Sequence, residues 1–137
     1  MLCAAIDVGS NTTRVLVAEP QEGQLRKVLE SSPHDATANN DLGYLMADRN
    51  KNLAEAERLI RKALELDKQL RGATTAKAAD EENAAYIDSL GWVLFRRGKL
   101  DEARRELERA AKLPDGEDDP VVWDHLGDVC FRLASIL

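Results

Sequence analysis

A phrase repeated along the chain constrains its fold more than any other feature. Asp41-Leu42-Gly43-Tyr44 is followed by Ala56 and Ala63, and Ser89-Leu90-Gly91-Trp92 by Ala103 and Ala110. The phrase opens a third time at His125-Leu126-Gly127-Asp128. Self-similarity of this kind predicts helical hairpins that bury their apolar faces by stacking on neighbours. Small residues at the recurring places let paired helices approach closely, and larger ones fill the seam.

Residues 33–137 accordingly predict a helical unit of about five helices, near 35–49, 53–71, 80–97, 100–112 and 119–135. Leu53, Ala56, Ile60, Ala63 and Leu66 recur every three or four residues, as do Leu100, Ala103, Leu107 and Ala110. Asp119-Pro120 reads as a cap followed by a first-turn proline, and Asp80-Glu81-Glu82 as acids at a helix N-terminus. Arg71-Gly72 and Pro114-Asp115-Gly116 read as stops. Arg49-Asn50-Lys51-Asn52 and Arg97-Gly98-Lys99 are short polar turns suited to antiparallel partners. Glu57/Arg61, Asp101/Arg105 and Glu108/Lys112 lie four apart and read as pairs on solvated faces.

Residues 1–32 differ in kind. Leu2–Val8 and Thr13–Ala18 are β-prone runs around the turn Gly9-Ser10-Asn11-Thr12, with Leu25–Leu29 as a third candidate. They predict a β-meander of two to three strands, too small to stand without cover. The expected fold is therefore mainly α, with helical hairpin repeats behind an N-terminal β segment.

A net charge of −6 argues against a nucleic-acid surface. No apolar run reaches the roughly 20 residues that span a membrane, and the N-terminus lacks a secretion-signal pattern. Cys3 and Cys130 show no metal-ligand spacing and read as free thiols of a reducing cytoplasm, with Cys130 a small core residue. His125, between Asp124 and Asp128, reads as a packing residue, and no metal or cofactor is expected.

The helical part resembles the tetratricopeptide repeat family, on Leu42-Gly43 with Ala56 and Ala63, Leu90-Gly91 with Ala103 and Ala110, and the opening Trp123, Leu126 and Gly127. The resemblance implies a non-enzymatic protein–protein interaction module with a concave face lined by the first helix of each unit. Aligning the units puts Asn40, Tyr44, Asp88, Trp92, Phe95, Arg96 and Phe131 there, which leaves the four aromatics exposed on one surface for a partner or, equally, covered by the N-terminal strands with no groove left. The lysine and asparagine constellation with which some members clamp a C-terminal carboxylate is missing. Trp123, Leu126, Cys130, Leu133 and Leu137 form an apolar stripe with no following helix, which predicts self-association, most simply as a homodimer.

Ala5 to Arg14 resembles the opening of the exopolyphosphatase/guanosine-pentaphosphatase family. That resemblance implies Asp7 near a metal and Gly9, Ser10 and Asn11 donating to phosphate. The second phosphate loop and the catalytic acid of that family do not follow. A phosphate- or nucleotide-binding remnant is the alternative function, and the pairing of two unrelated resemblances predicts a chimaeric chain.

Overall fold

The computed structural model of the protein describes residues 11–74 and 81–136. They form seven helices: α1 Asn11–Ser31, α2 Ala36–Asp48, α3 Leu53–Gly72, α4 Ala84–Arg96, α5 Leu100–Ala111, the short α6 Pro114–Glu117, and α7 Pro120–Ser135. The five helices expected between residues 33 and 137 are present, and α6 is a single turn at the proline stop.

Their starts follow from side-chain caps. Asp35 accepts from the Ala38 amide at 2.9 Å, Asn83 from Tyr86 at 3.1 Å, and Asp119 from Val121 at 2.9 Å. The cap of α4 is thus Asn83, immediately after the acidic run that the sequence pointed to, while Glu82 pairs with Arg109 of α5. The turn after α2 accommodates its extra residue with Asn50 and Asn52 in the left-handed region (φ 54° and 45°), where the equivalent turn after α4 uses Gly98 at φ 79°.

The expected β-meander is not there. Among the described residues there is no strand, and two of its three candidate strands, Thr13–Ala18 and Leu25–Leu29, lie inside α1. The first candidate strand, Leu2–Val8, lies outside the described residues. Packing decides the outcome in the second half of α1: Leu25 and Leu29, four apart, rest on the core around Leu42 and Met46.

The helices stack in a regular order. The hairpins α2/α3 and α4/α5 make the most extensive contacts, and α2 packs on α4 as α4 does on α7. Each second helix also packs on the first helix of the next hairpin, α3 on α4 and α5 on α7. Helix α1 bears the same relation to α2. It therefore occupies the place of a second helix belonging to a preceding unit.

At the centre of each hairpin stands a glycine. A Cβ on Gly43 would come within 2.6 Å of Ile60 Cγ1 and 2.8 Å of the Ala56 carbonyl, and one on Gly91 within 2.5 Å of Leu107 Cγ. Only glycine permits that approach. Gly127, the third of the series, has nothing within 4 Å of such an atom.

Two buried glutamates bind neighbouring units together. Glu22 of α1 receives Arg26 at 3.2 Å, Arg49 at 2.9 Å and Lys51 at 3.4 Å. Glu57 of α3 receives Arg61 at 2.8 Å, Lys99 at 3.3 Å and Arg97. The constellation is the same in both: an acid on a second helix, a base four residues on, and the two bases of the next unit's turn. Burial works against each charge, but hydrogen bonds from these bases outweigh it and hold both carboxyls below the usual 4.5. Glu57/Arg61 is thus no solvated surface pair but part of an inter-unit clamp.

Candidate functional site

The first helices of the units, α2, α4 and α7, stand side by side and share one face. Against that face, α1 closes a groove of about 750 Å3. Gln24, Leu25 and Val28 of α1 form one wall, and Asn40, Tyr44 and Leu45 of α2 the floor. Asp88 and Ser89 of α4 and Asp119 and Val121 at the start of α7 complete it.

The seam of α1 faces this groove because it lacks a hairpin partner among the described residues. In α3 and α5 the corresponding seams, Ala56/Ile60/Ala63 and Ala103/Leu107/Ala110, are fully buried. In α1 the counterparts are Gln21, Leu25 and Val28, and Val28 remains 40% exposed.

Beyond the floor lies a stacked cluster. The His125 ring packs 4.2 Å from Trp92, at 15° to it, and Trp92 stacks on Phe95 at 5.2 Å. His125 Nδ1 lies 3.0 Å from both carboxylate oxygens of Asp88. Arg96 lies over the Trp92 ring at 5.6 Å and donates through Nε to the Ala47 carbonyl at 3.1 Å. Tyr44 borders the cluster, and burial together with the charges of Asp48 and Asp88 pushes its phenol up to about 12. It keeps its proton and can donate.

These contacts revise the expected surface. Asp88 and Trp92 are buried, Tyr44, Phe95 and Arg96 are half-buried, and of the four aromatics only Phe131 is open to solvent, at 76%. The groove combines Asn40, Tyr44 and Asp88 from the unit alignment. Trp92, Phe95 and Arg96 are supports behind it, and Phe131 lies apart.

On α7, Trp123 is half exposed, and its Nε1 donates to the Glu117 carbonyl at 2.7 Å, tying α6 down. Leu126 and Leu133 are half-buried, and Leu137 lies outside the described residues. Cys130 is exposed rather than in the core, because no helix covers this side of α7 among the described residues. Of the phosphate-binding candidates, Asp7, Gly9 and Ser10 lie outside the described residues, and Asn11 is the first residue of α1. Among the described residues no three His, Cys, Asp or Glu side chains gather as a metal site; His125 is turned toward Asp88.

Hairpins with a central glycine, small residues along the facing seam and a shared concave face define a helical repeat. Residues 83–113 match the tetratricopeptide repeat. The match covers α4 and α5. The chain is also similar to the TPR repeat-containing protein PA4667 of Pseudomonas aeruginosa, with 37% identity over 123 residues. The alignment takes in 85% of this chain and 18% of the relative, so the chain spans about a fifth of that protein's length. Tetratricopeptide repeats generally serve protein–protein interaction.

Sequence reasoning missed α1's contribution to the groove, and with it Gln24, Leu25 and Val28. Two signals were available: the helical spacing of Leu25 and Leu29, and the parallel between Glu22 and Glu57.

Proposed function

We propose that this chain is a non-catalytic protein-interaction module that holds a segment of a partner polypeptide in the groove between α1 and the first helices of its repeats. The observation that carries the reading is the groove itself. It is open, with apolar side chains at Leu25, Val28, Leu45 and Val121 and polar groups at Asn40, Tyr44 and Ser89. A chain segment presents the same mixture of apolar side chains and backbone polar groups. The exposed thiol of Cys130 suits a reducing cytoplasm, and no helix among the described residues is long and apolar enough to cross a membrane. The test is crosslinking from the groove. A photoreactive residue at Val28 captures a partner polypeptide in a cell extract, and the same residue at Lys68, on the far end of α3, does not. Equal capture from both sites refutes the groove as the interaction surface.

A second reading, self-association through α7, is favoured by one specific observation. Gly43 and Gly91 are filled by Ile60 and Leu107, whereas Gly127 faces open space beside exposed Trp123 and Cys130. In α1, Leu25 stands where Ile60 and Leu107 stand in α3 and α5, so a second copy offers the matching seam. Light scattering is expected to give a mass above the monomer at micromolar concentration, falling to the monomer in Gly127→Leu. Monomer alone in the parent chain removes this reading.

A further inference from the structure

The groove contains a buried acceptor with nothing to accept. Asn40 is 6% exposed, and its Oδ1 has no hydrogen-bond partner among the described residues. Its Nδ2 donates to Asp41 Oδ1 at 3.3 Å, which fixes the amide's orientation, because a carboxylate accepts only from the nitrogen side. A buried polar atom of this kind favours any ligand that brings it a donor.

The surrounding charge is of one sign. Asp41, Asp88 and Asp119 border the groove, and among the described residues neither lysine nor arginine does. Asp88 is engaged by His125, and one oxygen of Asp119 caps α7, but Asp41 is exposed and Asp119 half-buried. Around these groups the walls are aliphatic, so a cation entering here needs an apolar stem and apolar neighbours.

We propose that the groove takes a lysine- or arginine-bearing segment of a partner protein. The cationic head donates to Asn40 Oδ1 and the Asp41 carboxylate, Asp119 at the start of α7 adds to the negative field, and the stem and flanking residues rest on Val28 and Val121. An acidic segment meets like charge, and an uncharged one leaves the Asn40 acceptor unpaired. This names the partner class for the groove proposed above and rests on that reading.

The test is a nuclear magnetic resonance titration of the isotope-labelled chain. Three blocked pentapeptides of alanine and leucine serve as probes, with arginine, norleucine or glutamate at the centre. The arginine peptide is expected to shift the Asn40 side-chain amide and to bind at least about fivefold tighter than the norleucine peptide. Its affinity is expected to fall between about 0.05 M and about 0.5 M salt. Asp41→Asn combined with Asp119→Asn, which leaves a competent cap on α7, is expected to weaken it to a similar extent. Equal binding of the arginine and norleucine peptides in the groove leaves an interaction module but overturns the basic partner. Tighter binding of the glutamate peptide, or no effect of the two substitutions, overturns it as well. If none of the peptides shifts a groove resonance, both readings fall.

Discussion

Three glycines in equivalent places predict three different outcomes on gaining one methyl group. In Gly43→Ala the new carbon meets the Ala56 carbonyl, backbone that cannot swing aside, as well as Ile60. A loss of about 2–3 kcal/mol is expected. In Gly91→Ala its nearest neighbours are side-chain atoms of Leu107 rather than backbone, and about 1–2 kcal/mol is expected. In Gly127→Ala it meets nothing, and the better helix former raises stability by about 0.5–1 kcal/mol. Urea unfolding of the three variants measures this order. Destabilisation by Gly127→Ala at a concentration where the chain self-associates means that a helix is seated on α7. The recurrence of these glycines was plain in the sequence. That the third one faces open space was not, since the same residue type serves a filled and an unfilled site.

At the scale of elements, α2 to α5 and α7 were legible because spacing, caps and stops agree. Helix α1 was not. Val15, Leu16 and Val17 favour strands, and Pro20 and Gly23 are poor residues inside a helix. Local preference therefore points away from the structure that the contacts of Leu25, Leu29 and Glu22 select. The groove inherits the same gap: Asn40, Tyr44 and Asp88 follow from aligning the units, and its α1 wall does not. The dependence of α1 on those contacts has a measurable consequence. Leu29→Ala is expected to cost about 1–2 kcal/mol, at the low end for a leucine because the site is only half-buried. Hydrogen exchange is expected to speed up through residues 21–31 and the 49–51 turn while α5 stays protected. Uniform loss of protection across all helices contradicts a role confined to this junction.

For the molecule as a whole, the two glutamate clamps are the polar joints between stacked units, and their charge sets how stability responds to acid. Both carboxyls sit below their ordinary 4.5, so folding favours the ionised form. The stability this contributes is complete above about pH 4.5 and is lost as pH falls through the lower folded-state values. Its size is bounded from both sides. Breaking a fully buried ion pair costs about 3–5 kcal/mol and exposed pairs contribute under about 1 kcal/mol. Here the acids are buried, but the side chains of Arg61 and Lys51 are about half exposed, at 51% and 49%. About 1–2 kcal/mol for each clamp follows from that intermediate position. Glu22→Gln with Glu57→Gln is therefore expected to lose about 2–4 kcal/mol near pH 7, the two sites being on different helices and adding. Near about pH 3 the parent chain has protonated the same groups, and the gap to the variant narrows. Urea unfolding at both pH values measures the two gaps. A difference that stays constant with pH means that the glutamates act through packing alone, and the repeated acid with its two turn bases is then a spacer rather than an electrostatic joint.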